Sequence, residues 1–160
     1  MSVLSGKLCN YHALDILESE YKIHEICNNI KTAHHIWIND LTDDLKNKFL
    51  KIKYCDCIIN TISSHFTDYK IDKVDDIDEI YWAVSPEDAI GSDRSLVDCH
   101  YDSFYVPGKS IFYRIIVALN ENNDVVTVFP DDNISVKMNT GDFHGLNYNA
   151  DKHCVGRLGR

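Results

Sequence analysis

The chain changes texture near Pro86, and that change constrains the fold more than any other feature. From about Tyr11 to His65 apolar residues recur at three- and four-residue steps: Leu14, Leu17, Tyr21, then Ile23, Ile26, Ile30, and later Leu45, Phe49, Ile52. Such a stripe runs along one face of a helix, and its length predicts two helices. The stretch Asn39-Asp40-Leu41-Thr42-Asp43-Asp44 divides them, because its side chains cap helix N-termini and its acids face the positive end of the second helix. Between Tyr69 and Ile80 the pattern is ambiguous, with a short strand expected near Glu79 to Val84. Beyond Pro86, short β-rich runs alternate with turn residues, as in an antiparallel sandwich or barrel. The expected strands are Leu96–Asp102, Ile111–Leu119, Val125–Phe129, Ile134–Met138 and His153–Leu158. Between them lie turns at Pro107-Gly108, Asn120 to Asp124, Pro130 to Asn133 and Asn139 to Asp142.

Helices first and strands later predict an α+β fold. A chain of 160 residues can bury one sizeable core, so a single domain is expected over residues 1–160. Residues 1–68 form its helical N-terminal part and residues 78–160 its β core. No apolar run approaches the roughly 18 to 20 residues needed to span a bilayer. The net charge of −9 argues against nucleic acid and anionic membranes as partners, since both are themselves negative. Residues 1–70 carry 8 basic and 9 acidic side chains, residues 71–160 carry 8 and 16, so the acidity sits in the β part. Met1 to Tyr11 lacks the long apolar segment of a cleavable leader. The expectation is therefore a cytoplasmic protein, with Cys9, Cys27, Cys55, Cys57, Cys99 and Cys154 as free thiols. The abundance of Ile, Asn, Lys and Asp suits an AT-rich genome such as those of some large DNA viruses and protists, which would make the location host cytoplasm or virion.

Within the β part, His100-Tyr101-Asp102 places an imidazole and a carboxylate two positions apart, on one face of a strand. A later His can complete a facial set of two His and one carboxylate, which holds Fe(II) and leaves positions open for ligands. His144 and His153, 42 and 51 positions beyond Asp102, are the two candidates. Cys99 and Cys154 each adjoin a candidate ligand, and strand parity turns them away from it, as small core residues. Cys55-Asp56-Cys57 has no second pair at zinc-site spacing. His34-His35 falls in the expected helical region, where adjacent residues diverge by about 100° and cannot share a metal.

Taken in order, Val97-Asp98-Cys99-His100-Tyr101-Asp102, the strand Phe112 to Asn120, and Gly141-Asp142 with Phe143 to Asn149 running into His153-Cys154-Val155 resemble the Fe(II)/2-oxoglutarate-dependent dioxygenases of the prolyl-hydroxylase-like branch. The resemblance covers roughly residues 78 to 158. It implies a double-stranded β-helix, or jelly roll, with the N-terminal helices packed on one face. It also implies His100, Asp102 and His153 as metal ligands and catalytic centre. The implied reaction couples decarboxylation of 2-oxoglutarate to succinate with hydroxylation of a C–H bond. A protein side chain or a small molecule would be the substrate, and a homo-oligomer or larger assembly is compatible with it. In that family a basic residue beyond the distal His receives the far carboxylate of 2-oxoglutarate, whereas here Arg157 and Arg160 stand four and seven positions past His153, short of that spacing. Arg114 and Tyr113, on opposite faces of one strand, are the other candidates to bind the cosubstrate. Two rival readings share this scaffold: a non-catalytic jelly roll serving binding or assembly, including in a virus particle, and a cupin-like metal protein without 2-oxoglutarate.

Overall fold

The computed structural model describes residues 2–10, 12–16, 34–71, 81–84, 99–102, 111–121, 125–147 and 150–157. They form a mixed α and β structure whose strand pairs are all antiparallel. The chain divides into two compact units, Leu8–Ala89 and Met1–Lys7 with Ile90–Arg160.

In the first unit, residues 12–16 are helical, and α1 (Asp43–Lys53) and α2 (Asp56–His65) follow a short 3-10 turn at Ile38–Asp40. The expected break before residue 43 is built as its composition dictates. The Thr42 hydroxyl accepts a hydrogen bond from the Leu45 N–H, Asp43 and Asp44 occupy the first turn, and Lys51 and Lys53 the last. Leu45 and Ile52, two turns apart, are the buried positions of α1. Two parts of the helical reading are corrected. His34–Trp37 is a strand, β2, paired with β3 (Tyr81–Val84) in the register His34 to Val84 and Trp37 to Tyr81. A run as short as His-His-Ile-Trp takes its state from such a partner rather than from local periodicity. Leu14 is exposed, and the neighbouring Ile16 is the buried residue of its helical segment. Residues 17–33, which hold the middle of the expected apolar stripe, lie outside the described residues.

The second unit holds β1 (Leu4–Lys7), β4 (Tyr113–Val117), β5 (Val125–Phe129), β6 (Ile134–Val136), β7 (Asp142–Asn147) and β8 (Cys154–Arg157). One sheet has the order β1-β7-β4 and another the order β6-β5-β8, so the chain changes sheet after β4, after β6 and after β7. Phe129 of β5 and Leu146 of β7 are buried in one core with Val3, and Ile116, Ile134 and Val136 pack against it. Both sheets thus bury apolar faces in common.

The expected turns set the hairpins. Asn133 takes a positive φ of 54° between β5 and β6, and its N–H donates to the Pro130 carbonyl. Gly141 takes φ 86° just before β7, a conformation that costs an L side chain far more than glycine. At Gly145 a side chain would meet Tyr113 and, at 2.8 Å, Ile115 Cδ1, so Tyr113 and Ile115 lie across the bare backbone of β7. Strand alternation then assigns Arg114 and Ile116 to the other face of β4, the face that carries the core. The expected strand Leu96–Asp102 is described only from Cys99 onward, where His100 forms an isolated antiparallel bridge with His153.

Candidate metal centre

The bridge between His100 and His153 is the foundation of the site. Each backbone N–H donates to the other residue's carbonyl, at 2.8 and 2.9 Å, and the two imidazole centroids stand 4.7 Å apart. Period-two alternation returns Asp102 to the face of His100. Its Oδ1 lies 3.6 Å from His100 Nε2 and 3.5 Å from His153 Nε2. One ligand atom from each of the three residues falls within 4.8 Å of the others, the sole such grouping among the described residues. Metal bonds to imidazole and carboxylate of about 2.0 to 2.2 Å can span separations of this size. The donor set of two imidazoles and a carboxylate suits a divalent first-row metal.

The surroundings fix which atoms face the centre. His153 Nδ1 lies 3.0 Å from the Asp151 carbonyl, which can only accept, so Nδ1 is the donor to that carbonyl and Nε2 is the ring nitrogen that faces Asp102. Arg114 Nη1 lies 3.2 Å from Asp102 Oδ2, close enough to pair in charge, while that buried oxygen has no partner in hydrogen-bond geometry. Oδ2 is thereby the outer oxygen and Oδ1 the inner one. The Asp102 and His153 side chains are each 10% exposed and His100 is 42% exposed, so the centre has one wet side. Phe129, fully buried, backs His153 at a centroid distance of 6.0 Å.

The remaining candidates are distributed as follows. Arg114 comes to Asp102. Tyr113 does not: its hydroxyl donates to the Ser2 carbonyl at 2.5 Å, and burial with the nearby Asp151 charge holds its pKa well above the ordinary value. Arg157 ends β8 with its backbone opposite Val125, and Arg160 lies outside the described residues. His144, the other candidate for the third ligand, is fully buried and stands apart from the grouping. Its Nδ1 lies 3.0 Å from Met138 Sδ, Phe129 meets it edge-on, and its Nε2 is buried without a hydrogen-bond partner. Burial and then the His153 charge push its pKa down to about 4, so it is neutral at pH 7.

Two cysteine readings change. Cys99 and Cys154, expected as free thiols, are joined in a disulfide with Cα atoms 4.2 Å apart. The cause is the strand pairing, since the residues flanking a His100–His153 bridge on this side are opposite each other. Cys55 and Cys57 are free, and Cys57 Sγ accepts from the Cys9 N–H at 3.0 Å.

Sequence reasoning missed two contributors. Asp151 is buried, accepts from the Ser2 hydroxyl at 2.6 Å and from the Asn147 N–H at 2.7 Å, and lends its carbonyl to His153. The acid two positions before a candidate ligand was the available signal. Arg114 was expected to bind a cosubstrate, and its pairing with Asp102 is the second contributor. The chain matches no family model, no curated protein and no solved structure among those compared.

Proposed function

We propose that the β unit is a jelly-roll metal centre and that the protein is an Fe(II)/2-oxoglutarate-dependent oxygenase acting on a C–H bond of a protein side chain or small molecule. The observation that carries this reading is the convergence of His100, Asp102 and His153, 51 residues from Asp102 to the last, onto one point. Antiparallel sheets exchanged by successive connections around one core support the jelly roll. Fe(II) with 2-oxoglutarate would supply the oxygen chemistry. The residues of the chain then hold and shield. Asp151 keeps Nε2 of His153 available, Arg114 holds the outer oxygen of Asp102, and Phe129 gives an apolar wall. Access is from the exposed side of His100. Among the described residues no helix is long and apolar enough to cross a membrane.

The decisive experiment is anaerobic Fe(II) titration with and without 2-oxoglutarate, following the weak visible charge-transfer band of the chelate. The reading expects a band that disappears in His100→Ala, Asp102→Ala and His153→Ala and survives in His144→Ala. Absence of Fe(II) binding to the folded protein would sink it and leave a non-catalytic jelly roll for binding or assembly. One observation favours a second reading. Arg114, the described arginine nearest the centre, is already paired with Asp102 and is not available to a distal carboxylate. Metal binding without a 2-oxoglutarate band would identify a cupin-like metal protein on the same scaffold.

A further inference from the structure

The disulfide sits where the ligands are paired. Cys99 immediately precedes His100, Cys154 immediately follows His153, and the two histidines face each other across an antiparallel bridge. Alternation puts the sulfurs on the opposite face from the imidazoles, so the bond can open without displacing a ligand atom directly. Of the four described residues Cys99 to Asp102, His100 makes the only bridge, held by two backbone hydrogen bonds, while Asp102 follows with its own ligand atom. The covalent tie one step away therefore reinforces the two backbone hydrogen bonds that pair His100 with His153. Cys99 and Cys154 are both half-buried, which leaves the bond within reach of a small reductant.

We propose that the Cys99–Cys154 disulfide is a reversible redox clamp on the metal centre. Oxidised, it holds His100 and Asp102 against His153; reduced, it lets that pairing open and metal affinity falls. The step is a two-electron exchange: two thiol equivalents donate two electrons and two protons, the S–S bond breaks to two cysteine thiols, and the donor leaves as its own disulfide. This inference rests on the metal-centre reading above.

The test is anaerobic Co(II) titration of the full chain, oxidised and after reduction and removal of the reductant, with alkylation and mass spectrometry reporting the state of Cys99 and Cys154. If the reduced pairing is formed about a tenth of the time, its apparent affinity is about tenfold weaker than that of the oxidised protein. Reoxidation should restore it. Cys99→Ser with Cys154→Ser should bind as weakly as the reduced protein and ignore reductant, and wild-type reduction gives the same comparison should that variant misfold. Equal affinity in both states would overturn the clamp and leave the metal centre standing. Alkylation of both cysteines in the unreduced protein would also overturn it. No Co(II) binding that depends on His100 in either state would remove the metal centre and the clamp with it.

Discussion

Among the described residues, the helical unit and the β unit differ in which whole side chains they bury. Among the described residues of Leu8–Ala89 the buried ones are apolar or thiol: Leu8, Ile16, Leu45, Ile52, Cys55 and Ile58. The Asp44–Lys48 pair, one helical turn apart, joins an exposed carboxylate to a largely covered lysine, 53% and 18% exposed. In the β unit the core contains His144, Asp151 and His153, the three buried polar residues among those described. Burying such groups costs stability unless partners satisfy them, and apolar residues of similar size would serve a core better. The difference teaches where selection for something other than stability acts. Helices α1 and α2 bury only apolar residues among those described, whereas the β unit buries two histidines and an aspartate.

The largest expected effects test whether the two cores are separate in consequence. Phe129→Ala should destabilise by about 3–5 kcal/mol and Ile58→Ala by about 2–5 kcal/mol, read as shifts in denaturant midpoint. Phe129→Ala should also weaken metal binding, because that ring backs His153. Ile58→Ala should leave it unchanged, and a comparable loss of metal would break the contrast.

Next in size is the response to acid. The folded pKa of His144, about 4, lies below its ordinary 6.5. Between those values the unfolded chain binds a proton that the folded chain does not, so stability falls as pH drops from 6.5 toward 4. At about 1.36 kcal/mol per pKa unit, the full loss is on the order of 3 kcal/mol. His144→Leu should flatten this part of the curve in denaturant unfolding at pH 4.5 and 7. An unchanged pH slope in the variant would show that His144 is not the buried base.

What could be read from the sequence divides along the same line. Signals acting within a few residues were legible: the capping stretch before α1, the turns at Pro130 to Asn133 and Asn139 to Asp142, and the alternation that put His100 and Asp102 on one face. Signals acting across the chain were not. Leu4–Lys7 carries no strand pattern of its own and is a strand because β7, some 140 residues away, pairs with it. His34–Trp37 depends likewise on Tyr81–Val84. The disulfide follows from the bridge between His100 and His153, and cysteine spacing alone could not announce it. Parity separated Arg114 from Tyr113 on β4, but which of the two faced the candidate ligands was set by tertiary geometry.

A medium effect separates scaffold from centre inside the β unit. Asp151→Asn removes the charge that receives Ser2 and Asn147, and should cost about 1.5–3 kcal/mol, the range for hydrogen bonds to charged groups. Its contact with His153 is through the backbone carbonyl, which the substitution keeps. Metal affinity should therefore change little while stability falls. A large loss of both would mean that the carboxylate, not the carbonyl, positions the histidine.

The smallest effect belongs to the helical unit and sharpens the comparison from its other side. Thr42→Ala removes the side-chain cap of α1, for which about 0.5–2 kcal/mol is usual. Here the bond from the Leu45 N–H is long, 3.4 Å, and Asp43 and Asp44 still face the helix dipole, so the loss should fall near 0.5 kcal/mol. Hydrogen exchange should show it as faster exchange in the first turn of α1, with protection of the His100 and His153 amides unaltered. A cap is a local device whose removal is paid locally. Faster exchange at the bridge as well would mean that the helix start is coupled to the His100–His153 pairing.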